Sequence, residues 1–526
     1  MAHQTESDWV RLTSKLSSGV MNRRHLFRLM GVGGMGMLLA ACESQGPAGG
    51  DTTDGMAGGA TPTSDSSEQA AEEQQQEATS EPRMGGTLVV GLDQEPPTMD
   101  PHASPSAITF YILASTGESL LFLNEDRELE PWLAESWEVS EDGTSFTFRL
   151  RNDVTFQDDT PFNAEAVKWN FDRIVDPNYQ AGTALSYISG YTRTDVVDEY
   201  TATVKFENAF VPFLTYSAGS PLAMLSPTAT QGQGEAVNDT PVLSGPYKVV
   251  EWVKRSHITI SRWDGYRRRA PWSDHEGPGY LDTVTWRIIP EAGTRVATVE
   301  SGETQMVTVI PAQDLPRLQS SPDIKIEARP WTGTPRIWLL NVQLPPTDEL
   351  EVRQAINYAI DRDAIINTVY RGTGTKPISP LTKVMLDDPS LHEYYPFDLD
   401  RARELLEQAG WTEGPDGIRQ RDGQRLQIIL NAIDQGAGPE QAVQLIQGQL
   451  REVGIDVQLK VQARPPWYED NYNGATNGPV MFLRAGDWDG LYSLFHTEHI
   501  GTNFNWSRLS DPEIDSLLEQ GRTESS

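Results

Sequence analysis

The stretch Leu129–Phe171, LEPWLAESWEVSEDGTSFTFRLRNDVTFQDDTPFNAEAVKWNF, decides how the rest of the chain is read. Glu141-Asp142-Gly143 marks a turn, because glycine accepts the positive φ that a tight hairpin needs. Phe146, Phe148 and Leu150 then alternate with Thr147 and Arg149, the two-residue period of a half-buried strand. Thr160-Pro161-Phe162-Asn163 stops the extended run. Asn163 is placed to cap a helix whose Val167, Phe171 and Ile174 share one face. A hairpin feeding a capped helix is scaffold, and by itself it names no function.

The wording of the stretch carries more. LAESWEVSEDGTSFTFRLRNDVTFQDDTPFNAEAVKWNFDRI closely resembles solute-binding protein family 5 of the ABC importers, the peptide- and nickel-binding group. The likeness runs, with gaps, from about Gly85 to the end of the chain. It continues in Gly85-Gly86-Thr87-Leu88-Val89-Val90-Gly91, in Pro96-Pro97-Thr98-Met99-Asp100-Pro101, and in Ser244-Gly245-Pro246-Tyr247-Lys248-Val249. VRQAINYAIDRDAI, starting at Val352, is nearly the family consensus. Departures are small: Ser244 stands where relatives usually have Thr, and Thr304-Gln305 follows Ser301-Gly302-Glu303 where they usually have Ile-Asp.

What this resemblance implies is an α/β protein with a periplasmic-binding-protein-like type II fold, two hinged α/β lobes with an extra subdomain inserted in the first. Residues 85–330 would form lobe I, with the insert at about 124–220, and residues 331–526 would form lobe II. The chain stops about ten residues into the helix opened by Asp511-Pro512-Glu513-Ile514. The resemblance implies several tens of further residues that finish the second lobe.

Composition sets independent bounds. The 526 residues allow two or three lobes, and 38% hydrophobic with 9% aromatic residues is the make-up of a folded soluble protein. No run approaches the roughly 18 consecutive apolar residues of a spanning helix. Net charge is −33, and the first 41 residues carry five basic and two acidic groups, so the remainder stands at −36. Such a surface repels nucleic acid and anionic headgroups, so neither is expected as a partner.

Residues 1–42 are read as an export signal. Arg23-Arg24 precedes apolar residues, Gly31–Ala41 is a Gly-rich apolar run, and Leu39-Ala40-Ala41-Cys42 looks like a lipobox. Cys42 is the sole cysteine, so no internal disulfide can form and a lipid anchor is its expected role. The twin arginine favours export after folding, with the Sec route as the alternative. Residues 43–84 are read as a disordered tether: from Glu43 to Arg83 there is no Val, Ile, Leu, Phe, Tyr or Trp. As a flexible coil it spans about 35 Å.

Beyond Trp331 the pattern becomes helix–strand alternation. Trp338-Leu339-Leu340-Asn341 reads as a strand. Val352, Ala355, Ile356, Ala359 and Ile360 recur at helical spacing, with Asp361 capping the next helix. Ala402, Leu405, Leu406 and Ala409 form another face that Gly410 terminates. A further helix is expected from Pro439 to Gly454, then a strand from Ile455 to Val461.

No catalytic motif assembles: no Gly-x-Ser-x-Gly, no P-loop and no Gly-x-Gly-x-x-Gly. Neither a catalytic residue nor a cofactor nor a metal site is assigned. His496-Thr497-Glu498-His499 is read as a polar loop, with a shared cation as the alternative. Arg267-Arg268-Arg269 is read as a solvated turn balancing an acidic surface, with an anion or docking site as the alternative.

Binding residues come from the resemblance. In peptide-binding relatives an aspartate in the segment matching Met481–Asp489 pairs with the ligand's α-ammonium group. Asp487 matches by spacing, with Asp489 as the fallback. A cleft carboxylate wants a cationic partner, which a peptide's amino terminus supplies. The loop from His102, including Ser104 and Ser106, would face the ligand. Dipeptide-binding relatives hold the ligand carboxylate with an arginine where this chain reads Pro439-Glu440-Gln441. Arg484 or Arg336 would have to serve instead. Trp331, Trp338 and Trp488 offer flat faces for stacking.

The function so implied is an extracytoplasmic, lipid-anchored, monomeric receptor that takes a small solute, foremost a peptide, and delivers it to ABC permease subunits. Alternatives are an oligosaccharide, nickel complex or opine on the same scaffold, or a sensory solute receptor.

Overall fold

The computed structural model describes residues 82–524 except 330, 392–393 and 435–436. The export signal, Cys42 and nearly all of the tether lie outside the described residues.

From Thr87 to Val307 the strands are β1 (Thr87–Leu92), β2 (Leu121–Leu123), β3 (Leu129–Pro131), β4 (Ala134–Val139), β5 (Ser145–Leu150), β6 (Tyr191–Asp198), β7 (Thr201–Phe206), β8 (Tyr247–Val253), β9 (His257–Arg262), β10 (Thr283–Ile288) and β11 (Met306–Val307). A five-stranded sheet runs β11-β1-β10-β9-β8, with β1 parallel to both neighbours. Between β1 and β8 in sequence lies a separate antiparallel sheet, β4-β5-β7-β6, beside the β2–β3 ribbon.

That second sheet is where the opening stretch sits. Gly143 turns at φ 67°, and β5 buries Phe146, Phe148 and Leu150 on one face. The Asn163 carboxamide accepts a hydrogen bond from Ala166 N at 3.1 Å and starts α1 (Ala164–Ile174), which lays Val167, Phe171 and Ile174 on the sheet. Phe213, fully buried, sits among the rings of Phe146, Phe148, Phe171 and Phe206 at centroid distances of 4.8 to 6.0 Å. Offset and edge-on ring pairs of this kind contribute about 0.5–1.5 kcal/mol each beyond the area they bury.

The loop after β1 departs from expectation. It turns inward: His102 and Ser104 are fully buried. Arg173 Nη1 can only donate, so His102 Nδ1 accepts from it at 2.9 Å and the ring proton lies on Nε2, facing Ala223 O at 3.1 Å. Burial pushes the imidazole down to about 4, so it is neutral at pH 7. Asp100 beside it keeps its charge. Burial opposes that charge, but the hydrogen bonds from Arg173 and Tyr179 and the field of its neighbours outweigh the cost and hold the carboxyl below its usual range.

The triple arginine is also corrected. Arg268 is not solvated: its guanidinium pairs with the Glu118 carboxylate, which is fully buried. Glu118 Oε1 also accepts from Tyr266 OH at 2.9 Å and Trp132 Nε1 at 3.1 Å. A buried carboxylate needs that much company. Arg267 and Arg269 donate to nearby backbone carbonyls.

The rest of the chain carries β12 (Ile337–Trp338), β13 (Thr412–Glu413), β14 (Arg419–Arg421), β15 (Gln424–Arg425), β16 (Gln427–Ile433), β17 (Asp456–Gln462) and β18 (Pro479–Met481). One sheet runs β12-β18-β16-β17 and a small one β13-β14-β15. The strand expected at Trp338–Asn341 is only the two residues of β12. Helix α2 (Leu350–Ala359) buries Val352, Ala355, Ile356 and Ala359. Asp361 caps α3 (Arg362–Val369) and Asp398 caps α4 (Leu399–Gln408), each accepting a backbone N–H at 2.9 Å. Helix α5 (Ala437–Glu452) begins two residues before the expected Pro439. The faces of α2 and α4 meet Ile428, Leu430 and Val457 of the sheet in one core.

Candidate functional site

Two stretches of the second half run side by side where they meet the first. Thr334 N donates to Leu483 O at 2.8 Å, and Leu483 N donates to Thr334 Oγ1 at 2.7 Å. Gly333 makes this possible: its φ is 100°, and a Cβ there would lie 2.1 Å from Leu483 O. The pairing sets Trp331 edge-on against Phe482, with centroids 4.7 Å apart.

Arg484 is the centre of the arrangement. Its guanidinium lies 3.9 Å from the Trp331 ring centroid and 5.3 Å from that of Tyr111, whose hydroxyl it also bonds. Tyr111 belongs to a helix of the first half (Ala107–Leu113) and is 42% exposed. No carboxylate lies within ion-pair reach of Arg484 among the described residues. Arg336 sits 5.3 Å from the Phe482 ring, and burial draws its pKa down against the pull of Tyr370. Two guanidinium groups therefore flank one aromatic pair.

The two aspartates have different surroundings. Asp487 is half-buried and its Oδ1 accepts from Asp489 N at 3.0 Å. Asp489 has a side chain only 7% exposed; Oδ1 stands 2.9 Å from Arg522 Nε, and Oδ2 accepts from Tyr216 OH at 3.0 Å. Burial pushes its carboxyl up, Arg522 and Tyr216 oppose this, and Asp487 adds to it.

The sequence-derived residues thus separate. Trp331, Arg336, Arg484, Trp488, Asp487 and Asp489 fall on the paired stretches, and Trp488 is 44% exposed. Ser104 and Ser106 do not join them. The Ser104 hydroxyl donates to Thr109 Oγ1 at 2.7 Å, and Ser106 caps the Ala107 helix. Trp338 packs into the second core and its Nε1 donates to Gly478 O at 3.0 Å, so it is no cleft wall. His496 is not in a polar loop: it is 6% exposed, stacked on Tyr492 with centroids 4.3 Å apart, and 3.2 Å from Glu519 Oε1. Among the described residues no group of three or more His, Cys, Asp or Glu is arranged to hold a metal ion. Sequence reading missed Tyr111, Tyr216 and Arg522. A tyrosine in the mostly apolar run Ala107–Leu113 was the one available signal, and the other two left none.

A mixed main sheet in each half, with aromatic and charged side chains gathered where the halves meet, defines a binding protein of the periplasmic type II class. The chain belongs to the bacterial extracellular solute-binding proteins, family 5, whose sequence model matches residues 128–497. It is a solute-binding receptor of the kind that serves ABC importers. It is similar to the glutathione-binding protein GsiB of Escherichia coli (strain K12), 29% identical over 443 residues covering 82% of each chain. Among solved structures it is similar to NikA from Brucella suis in complex with Fe(III)-EDTA, with TM-score 0.72 and 27% identity over 84% of this chain and 88% of that one. DppA from Helicobacter pylori in complex with the peptide STSA has the same fold, with TM-score 0.69 and 24% identity over 87% and 89%. No described helix is long and apolar enough to cross a membrane.

Proposed function

We propose that this receptor captures short peptides as a monomer and hands them to an ABC permease, acting by capture and not by turnover. The observation that carries the reading is Arg484: a cation stacked on Trp331 and bonded to the Tyr111 hydroxyl, facing no carboxylate of the described chain. Stacking fixes the guanidinium plane and leaves its edge to receive a carboxylate. Asp487 supplies the opposite charge for the ligand's ammonium end. The ligands of similar proteins fit: glutathione for GsiB, a peptide for DppA, and a polycarboxylate chelate for NikA. The two guanidinium groups beside Phe482 and Trp331 support such a chelate as the second reading.

Calorimetry with glutathione, trialanine and trialanine amide tests this. Losing a charged hydrogen bond costs ~1.5–3 kcal/mol, so Arg484→Met should weaken the free-acid peptide roughly 10- to 150-fold. The amide should bind the wild type about as weakly as the acid binds the variant. Equal affinity for acid and amide would remove Arg484 from the site. Binding of a ferric polycarboxylate with no peptide binding would establish the second reading.

The export signal, Cys42 and the tether support an extracytoplasmic, lipid-anchored location. Cys42→Ser should then move the protein from the membrane fraction to the soluble one. A variant that still sediments with membranes would end the anchor reading.

A further inference from the structure

Asp489 is the most enclosed carboxylate beside the candidate site: Oδ2 accepts a hydrogen bond, and Oδ1 is paired by charge with Arg522 at 2.9 Å without hydrogen-bond geometry. Arg522 comes from the last turn of the helix Pro512–Thr523. That helix is tied to the neighbouring segment by Glu519 on His496 and by Thr497 N donating to Asp515 Oδ1 at 2.9 Å. The Tyr216 side that takes Oδ2 comes from the first half, where Tyr216 stacks on Tyr187 with centroids 4.3 Å apart. Arg522 reaches the first half in two more ways. Its carbonyl accepts from Val211 N at 3.0 Å, and its guanidinium lies 4.7 Å from the Phe210 ring and 4.0 Å from the Tyr492 ring. Through side chain and carbonyl together, Arg522 therefore joins the Phe210–Val211 stretch to the Asp489–Tyr492 stretch.

We propose that Arg522 is a pin between the two halves: with Asp489 and Tyr216 it holds the Phe210–Tyr216 segment against the Asp489–Tyr492 segment independently of solute. This deepens the receptor reading proposed above, in which the two lobes would close over the solute, and rests on it. It divides labour between adjacent aspartates, Asp489 serving closure while Asp487 is left for the solute. The arrangement also screens the site. With Arg522 in place the buried carboxylate is already neutralised, so a cationic solute finds no second anionic subsite there.

Small-angle X-ray scattering of solute-free protein tests the pin without needing the ligand. Breaking one partner of an enclosed ion pair is expensive, so Arg522→Met should raise the open-to-closed ratio by about tenfold or more. Tyr216→Phe, which keeps the ring stack, should shift the profile the same way but less. Arg522→Lys keeps the charge and should stay close to the wild type. The double variant Arg522→Met/Asp489→Asn removes both charges. It should melt near the wild type yet remain open, which separates a pin from a merely stabilising pair. If Arg522→Met fails to fold, the double variant decides alone. Profiles of the folded variants that superimpose on the wild type would overturn the pin. A parallel titration of the wild type with glutathione and trialanine reports on the receptor reading separately, so failure of one leaves the other standing.

Discussion

Glu118→Ala is expected to lower the stability of the protein by about 3–5 kcal/mol, because it strands the Arg268 charge inside the protein. Glu118 is 0% exposed and the Arg268 side chain 9%. Tyr266, 2% exposed, loses its acceptor as well. For one cooperative unit of several hundred residues the loss corresponds to a melting temperature lower by roughly 3–5 °C. Glu118→Gln keeps the shape and one acceptor and should cost less. Arg268→Met/Glu118→Gln should recover much of the loss, since no unpaired charge remains. Differential scanning calorimetry on the four proteins measures this. A Glu118→Ala melt within two degrees of the wild type would mean that water replaces the carboxylate without penalty.

N-acetylation of a bound peptide is expected to cost as much as Asp487→Ala, and the two losses should not add. Both remove one contact, the ammonium–carboxylate pair, so each alone accounts for the whole effect. Truncating one member of such a pair costs ~2–5 kcal/mol, or about 30- to several-thousand-fold. Asp487 is only half-buried, and one of its oxygens already accepts from Asp489 N, which places the effect toward the lower end. Its other oxygen carries no hydrogen bond among the described residues. Calorimetry on free and acetylated peptide with wild type and Asp487→Ala completes the cycle. Full additivity, or an acetylated peptide that binds as well as the free one, would take Asp487 out of the site and favour a solute without an ammonium group.

What could be read from the sequence was what local physics writes into it. The β5 alternation, the Asn163 and Asp361 caps and the Gly410 stop each depend on a few adjacent residues. All four are present in the structure. What could not be read depends on partners far along the chain. Nothing near Arg268 announces Glu118, 150 residues away, and nothing near Asp489 announces Tyr216, 273 residues away. The two errors about charge share that cause: a triple arginine and a His-rich turn look solvated until distant segments cover them. Ser104 failed for a related reason, since a hydroxyl in a loop is indistinguishable from one that faces Thr109 in the interior.

The position of β1 has a consequence for the order in which the protein can be built. Both of its neighbours in the sheet, β10 and β11, come later in the chain, and Thr87 meets its register partner Thr283 across a separation of 196 residues. The hairpins β4–β5 and β8–β9 are local by comparison and can close while synthesis continues. The first strand of this sheet to leave the ribosome thus waits for β10, and then β11, before either of its edges is paired. Closing so long a loop costs little more than closing one of half the length, because the entropy grows only with the logarithm of length, roughly 0.6 kcal/mol per doubling. The delay is therefore one of time and not of final stability, and throughout it the edge of β1 stands open.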